Sequence, residues 1–356
     1  MIMVIFGAGA SYDSVPSRSP KIGTYRRDFL PNRPPLASEL FLDLGFFTDS
    51  LGRFPQCKPI VPYLRSIPPG ETFEHVMETL QAEGETDPER QRQMAAIRFY
   101  LHYGIWECER LWDSTALGIT NYVTLLDQLR RSPREKNEPV LLVTFNYDRM
   151  IESALSSVKI SISELSHYIQ HDTFKLFKLH GSVHWAREVE SSLHCRPGAL
   201  VPAVTNIGGL NVHEVAAELI DTAPNLKITD RFRLVNSHPI GKIDDIPLFP
   251  AIAIPVETKR GFECPSDHLD CLCTHLRKVT KVLIVGWRGT ERHFLELLKN
   301  HMTGVIHVQA VMGKKLDAEE VLHRIQGAGI SLIGEASVDG FTEYVVRREA
   351  ERFFSA

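Results

Sequence analysis

Short apolar runs recur along the chain, most of them leading into a turn or a helical pattern: Met1–Phe6, Val140–Thr144, Phe174–Leu179, Ala251–Val256, Lys281–Val285 and Val305–Val311. A half-buried strand alternates apolar with polar residues. These runs are rich in β-branched and other apolar residues on both faces, as strands are when helices cover both sides of a parallel sheet, and they predict an α/β fold. Between the first two runs the spacing becomes helical. Phe73, Val76, Met77 and Leu80 stand at i, i+3, i+4 and i+7 behind Glu71 and Thr72. From Pro88 a longer helix carries Met94, Ile97, Leu101, Ile105, Cys108 and Leu111 on one stripe. A third helix spans Ile119 to Leu129, before the charged stretch Arg130–Glu138. Together they predict a helical subdomain inserted over residues 71–133. After Trp185 the pattern fades through Gly208, Gly209, Pro224, Pro239 and Pro247, which predicts an irregular insertion over 191–245. Residues 13–35 hold Pro16, Pro20, Pro31, Pro34 and Pro35 among five arginines and lysines, the composition of a long loop at the end of the first strand. Residues 281–356 alternate strand and helix again and close in a helix around Val338–Phe354.

At 356 residues the chain is long enough for about two domains. Its 43% hydrophobic and 24% charged content excludes wholesale disorder. A net charge of −4 argues against a chain-wide grip on nucleic acid, so direct nucleic-acid binding is not expected. The apolar run Met1–Ala10 is about half a membrane span, is broken by Gly7 and Gly9 and has no basic leader. It reads as a buried strand, not a signal peptide. Six cysteines without framework spacing predict reduced thiols, and the protein is expected in the cytoplasm with no membrane partner.

Candidate chemistry concentrates at four strand ends, where open α/β sheets bind ligands. The first is Gly7-Ala8-Gly9-Ala10-Ser11. Glycines there let backbone amides approach a pyrophosphate, or simply make a tight turn. The position of a third fingerprint glycine is Tyr12. The second is Thr144-Phe145-Asn146-Tyr147-Asp148, whose Asn146 and Asp148 are placed for a site or for capping the helix at 149–155. The third is Lys178-Leu179-His180-Gly181-Ser182-Val183-His184-Trp185. His180 is a candidate general base or a structural histidine, Gly181 and Ser182 would border the ligand, and His184 and Trp185 read as packing or rim residues. The fourth is Val285-Gly286-Trp287-Arg288-Gly289-Thr290-Glu291. Gly286 would admit a ribose or phosphate and Glu291 would hold a ribose hydroxyl, while Thr290 with Glu291 also makes a good helix start.

Cys264, His268, Cys271, Cys273 and His275 crowd into twelve residues, but no Cys-x-x-Cys pair accompanies them, and no metal is expected. The sequence has no Gly-x-x-x-x-Gly-Lys-Ser/Thr, His-Glu-x-x-His or Gly-x-Ser-x-Gly motif. Nothing therefore supports an ATPase, zinc protease or α/β-hydrolase reading.

In this order the four clusters resemble the sirtuin-like NAD-binding family. Gly7–Ser11 resembles its glycine-rich opening, Thr144–Asp148 its Thr-x-Asn-x-Asp segment, Leu179–Ser182 its His-Gly segment, and Gly286-Trp287 its turn near the ribose. The matched segments cover well under half of the chain. Protein-deacylating sirtuins also carry a zinc module of two cysteine pairs, which is missing here. Where they have a Gly-Ile-Pro-Asp-Phe-Arg type segment, this chain has Ser14-Val15-Pro16-Ser17-Arg18. The resemblance is therefore nearest to bacterial sirtuin-like NAD hydrolases of anti-phage defence.

The resemblance implies a Rossmann-like NAD-binding core over 1–70, 134–190 and 246–356. It implies a reaction in which NAD, as substrate, is cleaved to nicotinamide and ADP-ribose. Gly7, Ala8, Gly9, Ala10 and Ser11 would hold the pyrophosphate, and Gly181, Ser182, Gly286, Trp287 and Glu291 would line the nucleotide. His180 would act as base, Asn146 would orient a water or the ribose hydroxyls, and Asp148 would support the ribose or the Asn146 loop. NAD-dependent protein deacylation, ADP-ribosyl transfer, and a non-catalytic NAD- or ADP-ribose-binding subunit are the alternatives. Homo-oligomers and a DNA-translocating ATPase or other defence-system partner are also implied. The apolar stripe of residues 71–133 is a candidate assembly surface, or else part of the chain's own core.

Overall fold

The computed structural model of the chain describes residues 1–14, 35–36, 39–43, 45–67, 71–131, 138–190, 211–235, 240–243, 246–256 and 261–355. Most of the proline-rich 13–35 segment, including Val15–Arg18, and residues 191–210 of the second insertion lie outside these. β1 (Ile2–Phe6) runs into a short helix α1 (Ala8–Tyr12). The helical region holds α2 (Gly45–Gly52), α3 (Val61–Arg65), α4 (Phe73–Glu83), α5 (Pro88–Ala116) and α6 (Asn121–Arg131). β2 (Val140–Thr144), α7 (Met150–Ser157), α8 (His167–Gln170) and β3 (Phe174–Lys178) follow, then β4 (Gly181–Val189), α9 (Val212–Asp221), β5 (Ile228–Leu234), β6 (Lys242–Ile243) and β7 (Ile246–Ile252). The last part alternates α10 (Ser266–Leu276), β8 (Lys281–Val285), α11 (Arg292–His301), β9 (Ile306–Val311), α12 (Lys315–Gly327), β10 (Leu332–Ser337), α13 (Gly340–Val346) and α14 (Glu349–Ser355).

Six strands form one sheet in the order β10-β9-β8-β1-β2-β3, every pair parallel. Numbered by their succession along the chain, they stand 3-2-1-4-5-6 from β3 to β10, the order of doubly wound dinucleotide-binding sheets. Burial of both faces explains the apolar runs of the central strands β1, β2 and β8. Ile2, Val4 and Phe6 join Val140, Leu142 and Leu283 against α6, α7, α13 and α14. Met3, Ile5, Leu141, Val143 and Ile284 face α10, α11 and α12. The fold is thus α/β and Rossmann-like.

The second insertion holds more structure than its sequence predicts. α9 opens with a capping box, in which the Asn211 side chain accepts from the backbone of Glu214 and the Glu214 side chain returns to the backbone of Asn211. β5, β4, β7 and β6 form a separate antiparallel sheet. The run Ala251–Val256, expected as a core parallel strand, is instead the end of β7 and the segment after it. The helical insertion also divides differently. α4 and most of α5 bury against β7 and α9, whereas α6 packs with β1, β2 and α7 as a layer of the main core. On the α5 stripe Met94, Ile97, Leu101, Ile105 and Cys108 are all buried inside the chain. Leu111, the last residue of the stripe, is half-buried, so the stripe packs mainly into the chain's own core. Among the described residues no helix is long and apolar enough to cross a membrane.

Candidate functional site

In a 3-2-1-4-5-6 sheet the connections leave strands 1 and 4 toward opposite faces, so a crevice opens beyond their carboxyl ends. Here those strands are β1 and β8, and their turns, Gly7–Ser11 and Gly286–Glu291, meet. The Gly7 amide donates to Val285 O at 3.0 Å and the Gly9 amide to Gly286 O at 3.2 Å. A Cβ on Gly7 would stand 2.4 Å from Gly286 O, and one on Gly286, whose φ is +62°, 2.4 Å from the Ala10 nitrogen. The glycines are thus required by one turn packing on the other. The expectation that Gly7 and Gly9 offer their amides to a pyrophosphate is corrected, because both are already engaged. Ala10 is buried as well, and Ala8 is what this turn exposes.

Asn146 follows β2 and reaches back to that turn. Its Nδ2 donates to Gly7 O and Ser11 Oγ, both at 2.9 Å, and lies 3.4 Å from the Tyr122 hydroxyl. A carbonyl can only accept, so the amide orientation is fixed and Oδ1 turns away from Gly7. Ser11 gives its single proton to Asp148 Oδ2 at 2.8 Å. The 2.9 Å contact between Ser11 and Tyr122 must then carry the tyrosine's proton. Asp148 Oδ1 accepts from the Met150 amide at 3.1 Å, so this carboxylate holds the first residue of α7 and braces Ser11. These bonds tie Asp148 to the β1 turn and to the residues that follow Asn146. Burial raises the Asp148 carboxyl above its ordinary range, opposed by Lys178 and by the bonds from Ser11 and Met150. The Lys178 ammonium is itself buried, bonded to the Asp148 carbonyl and 3.0 Å from Glu152.

His180 occupies the corner between β3 and β4. Its backbone is pinned by Leu179 N donating to Thr144 O at 3.0 Å and Ala253 N donating to His180 O at 2.9 Å. Its ring lies 4.8 Å from Phe145 and 6.4 Å from Tyr147, the residues on either side of Asn146, and 6.5 Å from His293. Val183 N and Ser182 Oγ both donate to Tyr147 O, at 3.0 and 3.3 Å, which stitches the second and third clusters together. Asn146 and His180 are both buried, 7% and 5% exposed, and the Nε2 atom of His180 is itself buried.

Several expected lining residues prove to be framework. Gly181 has φ +81°, and a Cβ there would fall 1.9 Å from Ala251 O, so the close approach it permits is to β7 and not to a ligand. Ser182 is fully buried beneath Tyr147. Trp287 is buried with its ring stacked 5.5 Å from Phe145, and its indole nitrogen donates to Glu291 Oε2 at 2.6 Å. Glu291 therefore orients Trp287, which backs Phe145 and through it His180. Trp185 is core, as expected, and His184 is buried with its ring stacked 5.0 Å from Trp106. Burial and the positive charges of Arg149 and Lys178 drive the His184 imidazole down to about 2. In the cysteine-rich stretch, His268 Nε2 bonds to Leu165 O at 2.9 Å, and among the described residues no three potential ligands converge.

Tyr122 and Lys178 complete the polar network, yet the sequence does not single them out as site residues. Tyr122 comes from the first turn of α6, where an aromatic residue on the core face carries no local sign of chemistry. The chain matches no family model and no curated protein.

Proposed function

We propose that the protein is an NAD hydrolase that breaks the bond between nicotinamide and ribose, of the kind used as anti-phage effectors. One observation carries the reading. At the carboxyl ends of adjacent parallel strands, the Asn146 amide is locked against the β1 turn, and His180 lies against the two rings that flank Asn146.

The chemistry asks little more of the chain. Nicotinamide leaves a cationic centre as a neutral base and needs little acid assistance, so paired carboxylates are not required. The protein has to hold the dinucleotide, stabilise an oxocarbenium-like sugar and direct a nucleophile to the opposite face. Asn146 Oδ1, turned away from Gly7, accepts from a ribose hydroxyl or the attacking water. His180 takes the proton from that water or hydroxyl, and the rings of Phe145 and Tyr147 hold its imidazole in place. Gly7, Gly9 and Gly286 let the turns after β1 and β8 pack on each other, and Ser11 and Asp148 brace Asn146.

A second reading has support of its own. The Asn146 nitrogen is fully engaged and His180 is nearly buried, as in a module that binds NAD or ADP-ribose without cleaving it. Incubating the purified full chain with NAD, with and without an acyl-lysine peptide, and chromatographing the products separates the cases. Nicotinamide with ADP-ribose from NAD alone supports hydrolysis. Cleavage that requires the peptide supports transfer to an acceptor, and intact bound NAD supports the module.

A further inference from the structure

The loop Phe145–Arg149 that presents Asn146 is bonded to the parallel core on one side and to the helical insertion on the other. α5 supplies the second attachment. Glu109, whose side chain is 2% exposed, accepts the Arg149 backbone amide on Oε2 at 2.9 Å and the Arg149 Nε on Oε1. One turn earlier, Trp106 takes the Arg149 guanidinium over its ring at 4.9 Å and stacks on His184. A further turn back, His102 Nε2 lies 2.6 Å from Val183 O. His102, Trp106 and Glu109 are at i, i+4 and i+7, so one face of α5 holds both segments that carry the candidate chemistry.

We propose that Glu109 is a positioning residue of the candidate site: by holding both the backbone and the guanidinium of Arg149 from the helical insertion, it fixes the loop that aims Asn146. A buried ion pair contributes little to stability, because desolvating the carboxylate offsets most of the attraction, and a pair of apolar side chains would fill the same space. What a carboxylate adds is two acceptors in fixed directions on one residue, and it places them on the loop immediately after Asn146-Tyr147-Asp148. Burial pushes the Glu109 carboxyl up, with Asp148 and Asp113 acting the same way, and the Arg149 guanidinium and amide oppose it. The contact is therefore held at a desolvation cost at the point where the loop needs direction.

The catalytic consequence rests on the proposed NAD hydrolysis, but the clamp itself can be read without turnover. Full-length wild type, Glu109→Ala, Glu109→Gln and Arg233→Ala are compared by hydrogen exchange over Thr144–Met150 and by steady-state nicotinamide release. Arg233→Ala breaks an ion pair with Glu188 on the second sheet and controls for general loss of an ion pair. In Glu109→Ala the Arg149 amide is expected to exchange at least about tenfold faster. Its kcat should fall about 10²-fold while KM for NAD stays within about threefold, the pattern of a misaimed group and not of lost affinity. Glu109→Gln keeps one acceptor and should recover kcat to within about tenfold of wild type. If Glu109→Ala does not fold, Glu109→Gln carries the same readouts with smaller shifts. Unchanged exchange at Arg149, an unchanged kcat, or an equal loss in Arg233→Ala overturns the inference. If wild type releases no nicotinamide, the proposed function fails, and the clamp stands or falls on the Arg149 amide alone.

Discussion

The two halves of the candidate site are built on opposite principles. Around Asn146 the protein uses a closed set of hydrogen bonds, with Gly7, Ser11, Tyr122 and Asp148 each matched to a defined partner. Around His180 it uses aromatic faces, with Phe145, Tyr147 and His293 enclosing the ring. The first arrangement suits a group whose direction must not change. The second holds, by the faces of neighbouring rings, the imidazole to which the proposed reaction assigns the proton. A buried polar network is costly to leave half-satisfied, so the Asn146 half should couple strongly to stability, while the His180 half should couple to turnover.

The sharpest way to break this contrast is His180→Ala. It should lower the rate of nicotinamide release by about 10²–10⁴, with stability falling only by the cavity its buried ring leaves. Equal losses of stability and rate would erase the distinction between the halves. Asn146→Ala should cost both, with about 1–3 kcal/mol of stability lost in a urea titration, because the Gly7 carbonyl and the Ser11 and Tyr122 oxygens lose a donor.

His184 provides a titration of its own. Its folded value of about 2 lies below the ordinary 6.5, so its contribution is complete above pH 6.5 and is lost as pH falls from there toward 2. Across that window it adds a slope of up to about 1.4 kcal/mol per pH unit. His184→Phe should flatten the measured pH dependence of stability between 6.5 and 4, and an unchanged slope would remove His184 from this account. The smallest effect is expected from Tyr122→Phe, which deletes one hydroxyl that donates to Ser11. It should cost about 0.5–1.5 kcal/mol, with turnover within about threefold of wild type.

How much of this was readable in the sequence depended on whether an element's environment leaves a pattern. Val140–Thr144 and Lys281–Val285 are central parallel strands buried on both faces, and their apolar runs match the observed bounds. β10 is an edge strand containing Gly334 and Glu335, exposed over most of its length, and shows neither an apolar run nor a clean alternation. β7 contains Pro247 and Pro250, residues that argue against a central strand, and so only its apolar end stood out. Asn146, Asp148 and His180 were legible because each directly follows a core strand. Their roles were less so, since a helix cap and a ligand contact ask for the same residue types, and only coordinates show Asp148 bonded to Met150 and Ser11. The glycines stand out in the sequence, but what the structure shows for Gly7, Gly181 and Gly286 is room made for neighbouring backbone. Glu109 and Tyr122 come from helices far along the chain. The usable signal for Glu109 was a carboxylate at core spacing between Ile105 and Trp112, where an apolar residue belongs.

The most direct test of the account is the position of bound nucleotide, obtained by co-crystallising the His180→Ala protein with NAD. The account predicts the pyrophosphate over the paired turns that follow β1 and β8, with the nicotinamide ribose between Asn146 Oδ1 and the emptied His180 position. A nucleotide seated elsewhere, for example in the cavity of about 380 Å³ bordered by Met94, Arg98 and Phe249, would contradict it.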